Sequence, residues 1–298
     1  MKLLVLGATG QVGHALLPAL LPLGEVVAAT RSGRLADGRP CERIDLASAD
    51  SLRQGVSAIA PDVVVNAAAY TAVDKAEDER DLAYLINATA PAILAEACRE
   101  ADAMLVHYST DYVFDGQASS PYRETDPTAP IGVYGASKLA GEQAIRDAGV
   151  RHLILRTAWV YGNHGGNFMR TMLRLAAERD QLNVVADQFG TPTPAPLIAE
   201  VTAAMLALPV IPQGTFHLTA SGGTSWHGFA EAIMRTAHTA GLLAKPPTVL
   251  PIGTADYPTR AQRPGYSRLD NRSIQDAAQL QLPDWEIALQ AVIDSARP

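Results

Sequence analysis

Tyr134 and Lys138 lie four residues apart in the segment Tyr134-Gly-Ala-Ser-Lys138, a spacing that stacks a phenol and an ammonium on one face of a helix. A free tyrosine ionises near ~10, and a neighbouring cation stabilises its phenolate. Lys138 is therefore expected to make Tyr134 a usable proton donor and acceptor near neutral pH, and also to hold the ribose of a bound dinucleotide. Ser109, Thr110 and Asp111 follow the apolar run 104–108, which brings the Thr110 hydroxyl to a strand end, where it can hydrogen-bond a substrate carbonyl.

A second group of residues has the chemistry to hold phosphate. Gly7, Gly10 and Gly13 enclose Gln11 and Val12 directly after the apolar start of the chain. There the backbone must turn sharply, approach a pyrophosphate without a Cβ and pack helix on strand, and the helix N-terminus offers free N–H groups to the anion. After the second apolar run come Arg31 and Ser32, where an acidic residue would suit the ribose 2′-hydroxyl. A cation and a hydroxyl suit a 2′-phosphate instead, so NADPH is the expected cofactor, with NADH the alternative. Asp45 and Leu46 end the next short strand at a place suited to the adenine edge. The small residues of Asn66-Ala-Ala-Ala69, Ala68 and Ala69 among them, leave room beside the dinucleotide.

Strands and helices must alternate to bring these groups together. Apolar runs at 3–6, 26–29, 63–66, 104–108 and 153–159 are continuous rather than alternating, as in strands covered on both faces. Helices are predicted at 12–21, 51–60, 81–101 and 134–148, the last capped by Gly149. The pattern is α/β, a Rossmann-like doubly wound parallel sheet. Beyond Gly162 proline and glycine become more frequent, and helices are predicted at 167–179, 225–240 and 284–296. We therefore expect a dinucleotide-binding domain over 1–163 and a smaller C-terminal substrate-binding lobe over 164–298, part of which returns to the sheet. The cleft at the sheet's carboxyl edge is the expected active site.

The net charge of -7 and pI near 5.5 argue against a nucleic-acid partner, which would draw on clustered Lys and Arg. No apolar stretch approaches the ~20 residues that span a bilayer, and the apolar start stops at Gly7 without a cleavage pattern, so a cytoplasmic protein without a membrane partner is expected. Cys41 and Cys98 have no CxxC partner and read as small buried hydrophobes. The seven histidines lack paired metal-ligand spacing, and each reads as a core or surface residue. No GxSxG elbow is present.

With glycine loop, strand-end threonine and YxxxK in this order, the chain resembles the extended short-chain dehydrogenases, and within them the dTDP-4-dehydrorhamnose reductases. The similarity runs over essentially the whole length. It rests on residues 7–13, 65–77, 107–114, 134–142, 156–161, 187–193 and 263–270, including His107-Tyr-Ser-Thr-Asp-Tyr-Val-Phe114 and Arg263-Pro-Gly-Tyr-Ser-Arg-Leu-Asp270. It implies hydride transfer from NADPH to the C4 carbonyl of a dTDP-linked deoxysugar for cell-envelope polysaccharide such as the O-antigen of lipopolysaccharide. Tyr134 would protonate the alkoxide, Lys138 support it and Thr110 orient the carbonyl. Ala68, Ala69 and Thr71 would border the cofactor, and Val73, Asp111 and Trp159 the sugar. Asn167, Gln188 and Arg263 would lie on the nucleotide side, Arg263 as a bidentate partner of the diphosphate. Some family members use magnesium at a subunit contact, with a carboxylate early in the first helix. Here His14 and Ala15 occupy that stretch, so no metal is expected, and whether the chain forms a homodimer is left open. Pro18 inside the first helix is a further departure, with a cost of up to ~3 kcal/mol.

The same fold serves a non-catalytic NADP-binding regulator of methionine adenosyltransferase, and nucleotide-sugar epimerases and dehydratases. The complete Thr110, Tyr134 and Lys138 set speaks against the regulator. Dehydratases carry Thr-Asp-Glu where this chain has Thr110-Asp111-Tyr112, which removes the acid/base for eliminating water.

Overall fold

The computed structural model describes residues 1–296. Six strands in chain order, β1 (Lys2–Leu6), β2 (Glu25–Thr30), β3 (Glu42–Arg43), β4 (Val63–Asn66), β5 (Met104–Thr110) and β6 (His152–Thr157), join strand Gly214–His217 in a seven-stranded sheet. Every pairing in it is parallel. From Gly214–His217 the order runs β6, β5, β4, β1, β2, β3. The winding reverses between β1 and β4, so the crevice for a ligand opens at their carboxyl ends.

The continuous apolar runs are explained by burial on both faces. Leu3 and Val5 of β1 and Val63 and Val65 of β4 face one core with Leu16 and Leu20 of α1 (Gln11–Leu20). Leu4, Leu6 and Val64 face the other, with Leu52 and Val56 of α2 (Ala49–Ile59). Each fully buried Leu or Val contributes about 1.5–3 kcal/mol. Next come the short helices α3 (Val73–Ala76) and α4 (Arg80–Tyr84), then α5 (Ala90–Glu100) and α6 (Val133–Asp147). Gly149 follows α6 with φ +65°, as the predicted cap requires.

Two elements differ from the sequence expectation. The helix predicted over 81–101 is broken by a π turn, Leu85–Thr89. Pro91 has no N–H to offer the Asn87 carbonyl, and a Cβ on Gly141 of α6 would overlap that carbonyl, so the two helices meet there at backbone distance. The strand predicted to reach residue 159 ends at Thr157. Trp159 turns the chain with φ +46°, and Val160–Tyr161 leaves the sheet to pair with Thr193–Pro194. Pro18 is accommodated inside α1, which tightens into a 3-10 turn at Leu21–Leu23.

The C-terminal half builds its own core, in which helices Phe168–Ala176, Trp226–Thr239 and Trp285–Asp294 bury Phe229, Ile233 and Leu289. Strand Gln181–Val185 pairs with Thr248–Ile252 beside them. Between these pieces the chain returns to the first half. Helix Ala195–Leu206 sets Ile198, Val201 and Met205 into the core of β1 and α1, and Gly214–His217 then pairs with β6. Among the described residues, no helix is long and apolar enough to cross a membrane.

Candidate active site

At the β1–α1 junction Gly7 has φ +76°, and a Cβ there would lie 2.7 Å from the Ala68 nitrogen. A Cβ on Gly13 would overlap the Gly7 carbonyl. The loop is thus held flat against α1 and against the residues following β4, and Gly10 opens α1 with no side-chain cap. Its first N–H groups are left for another acceptor.

A cleft of about 860 Å³ runs over this loop. Gly7, Gly10, Gln11 and Val12 line it on one side, Arg31, Asp45 and Leu46 at one end, and Ala68, Ala69 and Thr71 on its floor; Tyr134 and Lys138 also line it. Gly13 stands behind the wall as a packing residue. Ser32 does not line the cleft: its hydroxyl lies 3.3 Å from the Thr30 hydroxyl and within reach of the Arg34 carbonyl, inside the turn after β2. Several lining residues had no sequence signal of their own, notably Leu82 and Ile86 from the α4 region, and Thr157. The buried Thr157 hydroxyl has no hydrogen-bond partner among the described residues. A glycine cradle, a cation at one end and an unmatched hydroxyl in the wall fit a phosphate-bearing dinucleotide.

Helix α6 begins where Glu77 accepts from the Val133 N–H at 2.9 Å, which sets Tyr134 in its first turn. The Thr110 hydroxyl lies beside the Tyr134 phenol and opposes the rise of its pKa, and Thr110 donates to Asp111 at 3.0 Å. The Tyr112 ring stands edge-on to the Tyr134 ring, centroids 5.6 Å apart. Lys138 is 2% exposed and donates to the Tyr108 carbonyl at 2.6 Å. The sequence predicts that this lysine lowers the Tyr134 phenol. The structure differs, because desolvation pushes the phenol up and Asp111 and Tyr112 add to the rise. Tyr134 is held in its neutral form, with a proton to give. Burial meanwhile lowers Lys138 to about 8, against the opposing charge of Glu142.

A further residue ties these parts together. Asn87, 1% exposed in the π turn, accepts from the Tyr70 N–H and donates to the Tyr70 carbonyl and the Ser137 hydroxyl. It links the cleft floor to the turn of α6 between Tyr134 and Lys138.

The six residues expected on the substrate side come from separate elements and loops, with Asp111 and Arg263 both acting on Tyr112. Asp111 is beside Thr110, and Val73 opens α3. Trp159 stacks on Trp226 at 3.5 Å, in the space where Gly190 has no side chain. Gln188 donates to the Thr254 hydroxyl. Asn167 caps helix Phe168–Ala176 through the Arg170 N–H, and its amide hydrogens go to Gln11 and to the Gly162 carbonyl. Arg263 pairs with Asp74 at 2.7 Å, and Arg260 pairs with Asp78 beside it.

Burial raises the Asp111 carboxyl to about 6, the neighbouring Ser267 and Thr110 hydroxyls opposing. Because the folded value lies above the ordinary 3.8, protonated Asp111 favours the fold, and that contribution fades as pH rises from about 4 through about 6. Asp111→Asn should therefore gain stability relative to the parent across this window, by roughly 2–3 kcal/mol between pH 4 and pH 8. Urea melts at the two pH values test this, and an equal difference at both would refute it.

A family profile described as RmlD substrate binding domain matches residues 1–297. The chain is similar to the dTDP-4-dehydrorhamnose reductase of Burkholderia thailandensis, 46% identical, with 97% of each chain covered. To that of Escherichia coli K12 it is 43% identical, covering 99% of this chain and 97% of the relative. Among solved structures, the dTDP-4-dehydrorhamnose reductase of Bacillus anthracis in complex with NADP superimposes with a TM-score of 0.90 at 35% identity, covering 99% of each chain.

Proposed function

The chain belongs to the RmlD substrate binding domain family, and from that membership we propose that it reduces the C4 keto group of dTDP-4-dehydro-L-rhamnose to give dTDP-L-rhamnose, with NADPH as cofactor. The observation that carries this reading is the convergence of Thr110, Tyr134 and Lys138 at the wall of the glycine-loop cleft. NADPH supplies the hydride when bound. In this reading the Gly7–Gly13 loop takes the pyrophosphate, Arg31 the 2′-phosphate, Asp45 and Leu46 the adenine edge, and Ala68, Ala69 and Thr71 the flank of the dinucleotide. Thr110 orients the C4 oxygen and Tyr134 gives it a proton. Lys138 steadies the resulting phenolate. Val73, Asp111 and Trp159 border the sugar, and Gln188 and Arg263 face the nucleotide. Asn167 faces the nucleotide with them, held in place by its bonds to Gln11 and to the Gly162 carbonyl. Residues 1–163 form the cofactor domain and 164–298 the substrate lobe, part of which returns to the cofactor domain's sheet and core, in a cytoplasmic enzyme that feeds cell-envelope polysaccharide synthesis.

NADPH absorbance followed with dTDP-4-dehydrorhamnose tests the reading. One NADPH oxidised per dTDP-L-rhamnose formed supports it; tight NADPH binding with no turnover would assign the protein to regulation instead. Arg31→Ala should weaken NADPH by roughly ten-fold, the loss of one charge-assisted contact, and leave NADH unaffected. Parallel losses for both cofactors would remove Arg31 from the 2′-phosphate.

A further inference from the structure

His107 lies in the middle of β5, 1% exposed, with Asn66 on one side and Lys138 on the other. Its Nδ1 is 3.1 Å from Asn66 Nδ2, and its Nε2 is 3.2 Å from Lys138 Nζ. The hydrogens in this row follow from counting donors. The Ala68 N–H can only donate and points at Asn66 Oδ1, at 3.2 Å. That fixes the amide, so its NH₂ faces the imidazole. An NH₂ group only donates, hence Nδ1 must accept. A neutral imidazole then carries its single hydrogen on Nε2, directed at Lys138. An ammonium has three hydrogens and no lone pair and cannot receive it. A neutral amine can, while still donating to the Tyr108 carbonyl at 2.6 Å.

We propose that His107 is a positioning residue for the proton chemistry of this site: when Lys138 is uncharged in the free protein the His107 Nε2–H donates to it, and Lys138 becomes charged only when one hydrogen bond of this row, Asn66–His107 or His107–Lys138, is given up. The alternative with an ammonium bonded to Nε2 needs hydrogen on Nδ1, which would meet the Asn66 NH₂ donor to donor. A doubly protonated ring offers no escape, because burial holds His107 well below its ordinary value. The other titratable groups around Lys138 are Tyr134 and Glu142 on its own helix and Tyr108 on β5. Glu142 opposes the loss of charge but is outweighed by burial, consistent with a lysine lowered to about 8. This inference rests on the proposed role of Lys138 beside the phenolate, and it makes the charge there conditional on pH: present below about 8 and lost above it.

Nitrogen-15 and lysine 13Cε NMR of the substrate-free and cofactor-free protein read both halves directly. The expected result at pH 9 is the Nε2–H tautomer of His107, with Lys138 titrating near 8, well below the ordinary lysine value of 10.5. Asn66→Asp offers Nδ1 an acceptor, so it should switch the tautomer and raise the Lys138 titration by roughly one unit or more. If that variant does not fold, His107→Gln, which can turn its amide oxygen to Lys138, should also raise the titration. An Nδ1–H tautomer in the parent, a Lys138 still charged at pH 10, or an unmoved titration in the folded variants each overturns the proposal. None of these readings involves substrate, so a failure here leaves the reductase reading standing. Conversely, an absence of NADPH turnover would leave the tautomer result intact.

Discussion

Tyr134→Phe is expected to lower turnover by roughly 10²–10⁴-fold, the usual contribution of a positioned general acid, while NADPH affinity stays close to the parent value. The substitution removes one oxygen and keeps the ring that meets Tyr112 edge-on at 5.6 Å. Thr110 retains its bond to Asp111, so the hydroxyl proposed to orient the carbonyl keeps a partner. Because desolvation holds the Tyr134 phenol above its ordinary value, the lost group is a poised acid and not a phenolate. Single-turnover oxidation of NADPH, measured beside fluorescence titration of the cofactor, separates chemistry from binding. Undiminished turnover would transfer the proton donor to another group. A loss of cofactor affinity as large as the loss of rate would make Tyr134 a binding residue.

The second large effect concerns stability. Glu142 is fully buried and accepts from Arg156 Nε at 2.9 Å and Nη2 at 2.7 Å, joining α6 to β6, while Arg146 adds a third contact at 3.2 Å. The Arg156 guanidinium also sits 5.2 Å from the Phe114 ring. Glu142→Ala leaves Arg156, 3% exposed, as an uncompensated interior charge, a change that costs about 3–5 kcal/mol. Thermal melts should fall by on the order of 10 °C. Glu142→Gln, which keeps the shape and one acceptor, should fall between the two. Since α6 also carries Tyr134 and Lys138, activity in Glu142→Ala should decay at temperatures where the parent is unaffected. A melt within a degree or two of the parent would mean that water or a rearranged partner takes over the charge.

What was legible in the sequence and what was not divide along physical lines. The run before Gly7 and the mostly apolar, non-alternating segments at 63–66 and 104–108 announce strands buried on both sides, because no one-sided element tolerates them. The spacing of Tyr134 and Lys138 fixes a shared helix face wherever the helix lies. The π turn at Leu85–Thr89 was hidden because half its cause, the close approach of Gly141, is 54 positions away in the chain from Asn87. The pairing of Asp74 with Arg263 spans 189 positions and likewise has no local signature. The burial that raises the Tyr134 phenol was not legible, because spacing conveys proximity to a cation but not the depth of burial around both groups. Asn167 is the intermediate case: its place as the cap of a helix could be read locally, and its bond to Gln11 could not.

Because helix Ala195–Leu206 and strand Gly214–His217 belong physically to the first half of the molecule, the proposed functional boundary near residue 163 is not a line along which the protein can be cut. A fragment ending there would expose β6 as an unpaired edge and uncover the face of α1 that Ile198, Val201 and Met205 now seal. Such a piece would tend to self-associate. The two lobes are interleaved, so exchanging substrate lobes among relatives to change sugar preference calls for grafting the segments on either side of 195–217 as separate inserts, with that returning stretch kept from the recipient.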